Sequence, residues 1–321
     1  MIKIHNVEEI TPSDDAFHGS KKQISAEWWY FDAIFSNDYS VHIGCRTFSL
    51  RRIGMVQPFL EFYKNGKLEV EKRKRFLFKN FETSKEYPLV RLFKKPLIEF
   101  DIDKYKKDGK WVYKTDLSLE GCRANLEFIG DAEGFKIQTD AESWTVALPK
   151  AKVTGEIIYN DKKFKVEGIG YHDHNWNYTF LTALTYGKCW YWGKIRSDSY
   201  NIVWANVVKK DNKWDLLAVV NTGEKGFYNI HPENITFKPD KYIYDHKKKT
   251  PTFFTLKIDD VVNKIPIKAD IELKVENLHY SSVLRSPYWR YHVKTTGFIS
   301  IDGKKEEIDN TQIMEFLSFS K

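Results

Sequence analysis

The chain has 321 residues, of which 42% are hydrophobic, 30% charged and 16% aromatic, and it carries a formal net charge of +7. This composition fits one large globular domain or two medium ones. The positive charge is spread along the chain without a recognition motif, and no run is long enough to span a bilayer. We therefore expect neither nucleic-acid binding nor a transmembrane segment.

The cysteine spacing and the N-terminus both favour a cytoplasmic protein. Three cysteines lie far apart, and the first residues lack the apolar region of a signal peptide. Short basic runs occur at Lys72-Arg73-Lys74-Arg75 and at Lys247-Lys248-Lys249. We expect these runs to be solvated hairpin ends, and they leave open a peripheral contact with an anionic membrane.

Turn signals divide most of the chain into short segments of alternating polar and apolar residues. Asn65-Gly66, Asp108-Gly109 and Asp302-Gly303 supply the positive φ angles of two-residue hairpin turns. No segment shows a sustained apolar stripe of helical period. The looser turns are expected at Ser36-Asn37-Asp38, Asn160-Asp161 and Asp211-Asn212. The sequence therefore predicts an all-β, antiparallel protein.

Many strands in one chain must protect their edges, and closed barrels or sandwiches do so. A boundary is expected after Leu148-Pro149, between residues 150 and 170, which gives domains at 1–165 and 166–321. Each domain has the size of an eight-stranded ligand-binding barrel. We predict two abutting antiparallel barrels, and a single large sandwich is the alternative.

The first chemically dense segment is Glu27-Trp28-Trp29-Tyr30-Phe31-Asp32. In a strand, Glu27, Trp29 and Phe31 share one face, which would place a carboxyl group in an aromatic wall. Desolvation there would raise its pKa and make Glu27 a general acid. The alternative is an ordinary core strand. His42 and Arg46 follow on one face of the next segment, where either could neutralise a buried carboxylate such as Glu27.

The densest segment is Gly168-Ile169-Gly170-Tyr171-His172-Asp173-His174-Asn175-Trp176. In a strand, His172, His174 and Trp176 share one face, and Tyr171, Asp173 and Asn175 share the other. The two histidines could bind a metal ion, but a site needs further ligands that no motif supplies. Nucleophile elbows, phosphate loops and dinucleotide fingerprints are also absent from the sequence, so we predict no metal and no cofactor.

A third cluster contains Trp190-Tyr191-Trp192, followed by Trp204 and Asn206. As neighbouring strands, these segments could bring Trp192, Trp204 and Asn206 close to the face of His174 and Trp176. Indole faces stabilise cations, so such a pocket would suit an alkene that is protonated to a carbocation. A tryptophan-rich core without chemistry is the alternative.

Several short motifs, in this order, resemble the carotenoid hydratase (hydroxyneurosporene synthase) family of lipocalin-like proteins. Its superfamily includes proteins of unassigned function and lipocalin-like Diels–Alder cyclases. The matching segments are His18-Gly19-Ser20, Glu27-Trp28-Trp29-Tyr30, Asp173-His174-Asn175-Trp176, Trp190-Tyr191-Trp192, Tyr288-Trp289 and Glu315.

The resemblance implies two lipocalin-like barrels and an apolar, often isoprenoid, ligand. In the hydratases a His-x-Trp pair and a Tyr-x-Asp pair protonate a double bond and deliver water. The first pair corresponds to His174 and Trp176, and the second to Trp204 and Asn206. Asn206 cannot act as an acid, so the proton would have to come from Asp173 or Glu27.

The sequence thus predicts acid-assisted hydration, cyclisation or isomerisation of an isoprenoid or polyene by a monomer or homodimer. The catalytic candidates are Asp173, His174 and Glu27. The candidates for substrate binding are Trp176, Trp192, Trp204, Asn206, Trp29, Tyr171, His42 and Arg46. A non-catalytic carrier of a lipophilic molecule is the first alternative, and a scaffold stabilised by these motifs is the second.

Overall fold

The computed structural model describes residues 5–19, 24–50, 53–138, 142–179, 187–210, 213–223, 226–283 and 286–319. The chain divides into two compact units. The N-terminal unit comprises Asn6–Ala183, and the C-terminal unit comprises Leu184–Lys321 together with Met1–His5. Each unit contains one large antiparallel β-sheet with its own core.

The N-terminal unit contains fourteen strands and one short α-helix. They are β1 (Val7–Glu9), β2 (Ile24–Phe35), β3 (Tyr39–Leu50), β4 (Ile53–Lys64), β5 (Lys67–Arg73), β6 (Phe76–Leu77), β7 (Phe81–Thr83), β8 (Leu89–Leu92), β9 (Lys95–Phe100), α1 (Ile102–Asp108), β10 (Val112–Leu119), β11 (Cys122–Gly130), β12 (Phe135–Gln138), β13 (Ser143–Tyr159) and β14 (Lys162–Thr179). Short 3-10 helices lie at Pro12–Asp14 and Phe78–Asn80.

The strand order places β14 between the two halves of the N-terminal sheet. The order is β5-β4-β3-β2-β14-β13-β11-β10-β9-β8-β7, with β6 paired to β4, and with β12 paired to β13 and β1. Because β14 pairs with β2 on one side and β13 on the other, its side chains face residues from both halves of the sheet.

The C-terminal unit contains nine strands in the order β18-β17-β16-β15-β23-β22-β21-β20-β19. They are β15 (Cys189–Arg196), β16 (Tyr200–Val208), β17 (Trp214–Thr222), β18 (Phe227–Asn229), β19 (Ile235–Asp245), β20 (Lys248–Val262), β21 (Ile265–Val283), β22 (Ser286–Ile301) and β23 (Lys304–Ser318). A 3-10 helix lies at Pro232–Asn234.

Alternation along the strands builds the core of each unit. In β2, Trp29, Phe31, Ala33 and Phe35 belong to the apolar core of the N-terminal unit, and the intervening side chains point the other way. In β16, Ile202 and Trp204 belong to the core of the C-terminal unit in the same manner. Burial of these alternate apolar side chains is the main stabilising contribution to both sheets.

The all-β, antiparallel, two-barrel class predicted from the sequence is confirmed as the lipocalin-like fold. The division between the units lies later than residue 165, because the segment 162–179 forms one strand that is paired on both sides within the N-terminal unit. No helix of the described residues combines the length and the apolar character that crossing a membrane requires.

The hairpin turns at Asn65-Gly66 and Asp302-Gly303 and the turns at 36–38 and 160–161 are confirmed, whereas 211–212 lies outside the described residues. The hairpin predicted at Asp108-Gly109 is wrong, because a helix ends there. The Asp101 side chain caps α1 by accepting from the Lys104 N–H at 2.9 Å, and Gly109 ends it in the left-handed region with φ of 72°.

Close packing at Gly170 provides a test of this strand arrangement. A Cβ added at Gly170 would lie 2.6 Å from Val153 Cγ2 and 2.7 Å from the Asp32 carbonyl oxygen. We expect Gly170→Ala to lower the free energy of unfolding by about 1–3 kcal/mol, measured by urea denaturation.

Gly121→Asn is the matched control, since asparagine tolerates the φ of 82° there and an added Cβ meets nothing within 4 Å. The control retains only the strain of a side chain at positive φ, so it should lower the stability by less than Gly170→Ala does. Equal stability of the Gly170→Ala variant and the native protein would contradict the close packing.

Candidate active site

The pairing of β14 with β2 places two histidines against two aromatic rings inside the N-terminal unit. His174 lies opposite Trp29 and His172 lies opposite Phe31, so all four side chains share one face. The ring of His174 stacks on Trp29 at 4.5 Å, and the ring of His172 stacks on Phe31 at 3.7 Å. Both histidines are fully buried.

Asp15 reaches the two histidines from the segment that follows the 3-10 helix at Pro12–Asp14. A capping box at Thr11 starts this helix, and the Asp15 backbone carbonyl accepts from the Trp29 indole N–H at 3.0 Å. The Asp15 carboxylate accepts from Tyr113 Oη at 2.6 Å and from His172 Nε2 at 2.9 Å. His172 Nδ1 donates to the Tyr30 carbonyl at 2.9 Å, so each ring nitrogen of His172 faces an oxygen acceptor.

Glu27 is held as an acceptor by donors from two directions. Its Oε1 lies 2.9 Å from His174 Nε2 and accepts from the His18 backbone N–H at 2.9 Å, and its Oε2 accepts from the Gly19 N–H at 3.0 Å. Gly19 has a φ of 58°, a left-handed conformation that glycine adopts readily. The turn at Gly19 therefore lets two successive N–H groups bind one carboxylate.

Glu27, His174, Asp15 and His172 thus form a buried row of alternating acids and bases, which we call the acid–base chain. His174 Nδ1 lies 3.4 Å from Asp15 Oδ1, and this contact joins the two halves of the row. Burial alone would lower the pKa of His174, but its contacts with Asp15 and Glu27 raise it to about 9. Burial would raise the pKa of Asp15, but His172 and His174 hold it well below its usual range.

His18 and Trp176 form a stacked pair at the half-buried end of this chain. Their ring centroids lie 3.6 Å apart at an interplanar angle of 11°. His18 Nε2 donates to the Asp14 carbonyl at 3.1 Å. Burial, together with the positive charge of His174, lowers the pKa of His18, so its ring is neutral near pH 7.

Two polar atoms of this stacked pair have no hydrogen-bond partner among the described residues. They are Nδ1 of His18, which is an acceptor because Nε2 carries the hydrogen, and the indole N–H of Trp176. The two rings are stacked face to face, and the indole N–H of Trp176 is buried without an acceptor.

Asp173 does not join His174, although the sequence grouped them as catalytic residues. Neighbouring residues of a strand point to opposite faces, and Asp173 lies on the other side of β14. There its carboxylate accepts from Trp144 Nε1 and Tyr171 Oη, each at 2.8 Å, and from Asn175 Nδ2 at 3.3 Å. Asp173 and Tyr171 belong to a separate buried network.

His42 and Arg46 also point away from Glu27, so the expectation that one of them neutralises it is wrong. Glu27 pairs across the sheet with Thr47, which places it on the opposite face from residues 42 and 46. His42 Nδ1 lies 3.0 Å from Glu61 Oε2, and Arg46 lies over the Phe59 ring at 4.5 Å. The partner of Glu27 is His174.

Trp192, Trp204 and Asn206 lie in the C-terminal unit, and they do not share a face. Trp192 pairs with Ala205, whereas Trp204 pairs with Gly193, so the two indoles point to opposite sides of the sheet. Trp204 and Asn206 face the core of that unit, where the Asn206 side-chain amide is fully buried. In the part of the chain that the structure describes, no three histidine, cysteine or acidic side chains are placed to hold a metal ion.

Sequence reasoning missed Asp15, Tyr113 and the chemical role of His18. Asp15 and Tyr113 carry no local motif and meet His172 only through the tertiary structure. The segment His18-Gly19-Ser20 was noticed only as part of the resemblance. A glycine in this segment is the sequence signal for a turn of positive φ, and the structure gives Gly19 a φ of 58°.

Part of the chain is similar in sequence to two curated proteins. It is 30% identical over 92 residues to the quinolone epoxide rearrangement protein asqO of Emericella nidulans. This alignment covers 28% of this chain and 25% of asqO. It is 29% identical over 94 residues to the corresponding protein penF of Penicillium thymicola, covering 29% of this chain and 25% of that protein. The matches thus span about a quarter of each relative, and no protein-family model matches the chain.

Solved structures share the fold over almost the whole chain. A Nitrosomonas europaea protein named after AttH aligns over 98% of both chains with a TM-score of 0.65 and 13% identity. CghA with Sch210972 aligns over 93% of this chain and 90% of its own, with a TM-score of 0.63 and 10% identity. Kievitone hydratase from Nectria haematococca aligns over 97% of this chain and 93% of its own, with a TM-score of 0.57 and 11% identity. The predicted resemblance to lipocalin-like proteins is confirmed at the level of the fold.

The raised pKa of His174 predicts a specific pH dependence of stability. The folded-state pKa of about 9 exceeds the ordinary value of 6.5, so the stabilisation by the charged ring is complete below pH 6.5 and is lost as pH rises through 9. We expect His174→Gln to lower the free energy of unfolding by about 3–5 kcal/mol at pH 6.5, because it leaves buried carboxylates without their partner.

The difference between the native protein and His174→Gln should shrink by pH 9.5 in urea denaturation series. His246→Gln serves as the control, since His246 is 53% exposed, and its effect should stay small at both pH values. A difference for His174→Gln that is constant or grows with pH would show that this ring is not charged in the folded protein.

Proposed function

We propose that the N-terminal unit is an acid–base catalyst that rearranges, hydrates or cyclises a small, largely apolar molecule. The observation that carries this proposal is the stacked pair of His18 and Trp176 at the end of the acid–base chain. It combines a neutral imidazole, an indole N–H donor and an aromatic surface. Such a combination is what proton transfer to and from an apolar substrate requires.

His18 is the residue that we assign as the general base. Its Nε2 hydrogen is fixed by the Asp14 carbonyl, so the lone pair of Nδ1 accepts a proton from water or from the substrate. The lowered pKa keeps this nitrogen unprotonated near neutral pH. It also makes the protonated ring a stronger acid, which returns the proton to another atom of the substrate in the same turnover.

Trp176 has the complementary role of binding an oxygen atom. Its indole N–H is buried and has no acceptor among the described residues, so an epoxide, carbonyl or hydroxyl oxygen that displaces a covering side chain would satisfy it. Negative charge that develops on this oxygen in the transition state would strengthen the hydrogen bond. The stacking keeps the indole ring of Trp176 against the imidazole ring of His18.

The acid–base chain positions this pair rather than reacting itself. His174 is enclosed by Trp29 and by Glu27, and it is fully buried. Glu27 fixes the turn at His18 and Gly19 through two backbone N–H groups. Burial and the charge on His174 lower the pKa of the half-buried His18, while Glu27 and Asp15 partly offset this effect.

The names of the similar proteins support the class of reaction. Two are named for the rearrangement of a quinolone epoxide, and one is named as a hydratase of kievitone. These names favour oxygenated, ring-containing substrates, whereas the resemblance to the carotenoid hydratase family implies isoprenoids and polyenes. Both classes are apolar molecules that change by movement of a proton, so one mechanism serves either of them.

The test is turnover in ²H₂O of a panel of aryl epoxides, enones, linear carotenoids and prenyl compounds, with products analysed by mass spectrometry. Rearrangement keeps the substrate mass apart from deuterium, whereas hydration adds the mass of water. We expect His18→Gln to lower kcat by about 10²–10⁴-fold, the usual contribution of a general base.

The exposed His246 of the C-terminal unit provides the matched control, because His246→Gln removes an imidazole far from this machinery in sequence and should leave kcat unchanged. Full turnover by His18→Gln would overturn the assignment of the base. Binding without turnover of any compound in the panel would favour the lipophilic carrier instead.

The lowered pKa of His18 predicts the pH profile of the reaction. The base must be unprotonated, so kcat/KM should rise with pH up to the pKa of His18 and stay level above 6.5. The measurement is kcat/KM of the native protein from pH 4.5 to 8. A rate that falls as pH rises through this range would assign His18 as a proton donor and contradict its role as the base.

A further inference from the structure

A cavity of about 600 Å³ opens in the N-terminal unit where the strands β9 and β10 separate. The two strands pair only as far as Ile98 and Thr115, although β10 continues along β11 to Leu119. The remaining walls come from β4, β6, β8 and the turn between β8 and β9. The volume lies within the usual range of binding sites for small molecules. The opening between the strands can therefore hold a ligand.

This cavity is separate from the acid–base chain. Tyr113, which donates to Asp15, and Leu117, which lines the cavity, both point into the core from β10. They are four positions apart, which corresponds to roughly 13 Å along a strand. No wall residue of the cavity belongs to the acid–base chain or to the stacked pair of His18 and Trp176. The cavity is thus a second place at which the N-terminal unit can bind a molecule.

Phe93 stands at the rim of the cavity in a conformation that costs stability. Phe93 and Lys94 form the two-residue turn between β8 and β9, with φ angles of 52° and 64°. Glycine, asparagine and aspartate favour such turns, whereas a bulky side chain at positive φ is strained. Among the described residues other than glycine that have a positive φ, Phe93 is the only one with an apolar side chain.

Packing within the protein does not account for this strained position. The ring of Phe93 is 54% exposed, and its aromatic contact is with Phe76, another residue of the cavity wall, at 5.4 Å. The exposed part of the ring can contact a molecule that enters the cavity. Strained residues that folding does not require are typical of ligand-binding sites. The position of Phe93 therefore indicates a ligand.

The inner wall of the cavity is apolar. Leu92, Leu97 and Leu117 line it from three strands, and all three belong to the core of the N-terminal unit. Phe76 and Phe93 add aromatic surface beside them. Removal of this surface from water favours a ligand with an apolar part.

The polar side of the cavity carries one uncompensated positive charge. Arg123 binds Asp116 through two hydrogen bonds of 2.7 Å, so these two charges compensate each other. Lys95 lines the cavity as well, and no acidic side chain in the described part of the chain pairs with it. An anionic group on the ligand would therefore complete the charges of this side.

We propose that the cavity binds a small amphipathic carboxylate, whose chain packs against the leucines and Phe93 and whose charged group pairs with Lys95. A neutral apolar molecule would leave the charge of Lys95 without a partner. An anion without a chain would leave the leucines in contact with water. A carboxylate with an apolar chain of several carbons satisfies both walls. This site goes beyond the proposed function, because binding there involves no catalysis.

The experiment is isothermal titration calorimetry of the full chain with octanoate. The comparison ligands are 1-octanol, which has the chain without the charge, and acetate, which has the charge without the chain. We expect one octanoate per chain, bound about threefold to fivefold more tightly than 1-octanol, and no measurable heat with acetate. Added salt should remove most of the difference between octanoate and 1-octanol, because the attraction to the exposed Lys95 is electrostatic.

Two variants test the two walls of the cavity. Lys95→Gln should raise the Kd of octanoate about threefold to fivefold and leave the Kd of 1-octanol unchanged. Phe93→Gly should raise the Kd of both ligands about tenfold, because it removes the aromatic ring from the rim. Phe93→Gly should nonetheless melt within about 5 °C of the native protein, since glycine adopts a positive φ without strain. Weaker binding by a stable fold distinguishes contact with the ligand from a structural role.

The matched control is Lys94→Gly, which relieves the positive φ at the neighbouring position of the same turn. Lys94 does not line the cavity, so the Kd of octanoate should change by less than about twofold. No heat with octanoate at millimolar concentration, or an equal Kd for the native protein and Phe93→Gly, would overturn the site. Equal affinity for octanoate and 1-octanol would overturn the carboxylate as the recognised group. Because calorimetry measures binding alone, these results leave the roles of His18 and Trp176 unchanged.

Discussion

Opposite charges that alternate along a buried row organise the N-terminal unit. An ionised carboxylate or imidazolium is costly to bury unless a partner of opposite charge and good hydrogen bonds compensate it. In the acid–base chain each interior group has such a neighbour on both sides, from Glu27 through His174 and Asp15 to His172. The members come from β2, β14 and the N-terminal segment, so their attraction also fixes how that segment lies against the sheet.

The same row determines which groups can do chemistry. Its histidines are stacked on aromatic rings, and the contact between Asp15 and His174 is an ion pair at 3.4 Å, so these groups are held as supports. Burial, together with the positive charge of His174, lowers the pKa of His18, the ring at the half-buried end. Trp176 holds the plane of that ring. A charged, buried histidine and a neutral, accessible one therefore lie in adjacent positions with different tasks, a separation of pKa values that is typical of acid–base sites.

The period of two along strands made much of this predictable from the sequence. It placed His172, His174 and Trp176 on one face of β14, and Glu27, Trp29 and Phe31 on one face of β2. The contacts between side chains on neighbouring strands depend on the strand register, which no local sequence pattern fixes. Glu27 therefore pairs with His174 rather than with His42. Trp192 and Trp204 point to opposite sides of their sheet. Asp15 could not be anticipated at all, because a short capped turn carries it to His172, 157 positions later in the chain. Asp108-Gly109 ends the helix α1 instead of forming a hairpin turn. The helix forms because the Asp101 side chain caps its first turn.

Nitrogen-15 NMR of the histidine side chains is the most direct test of the central claim that a charged His174 stands beside a neutral His18. The imidazole nitrogen shifts report protonation and tautomer for each ring between pH 5 and 10. The account predicts that His174 keeps both ring hydrogens up to about pH 9, while His18 above pH 6.5 carries a hydrogen on Nε2 alone. A His174 that loses a proton near its ordinary pKa of 6.5, or a His18 that is charged at neutral pH, would contradict it.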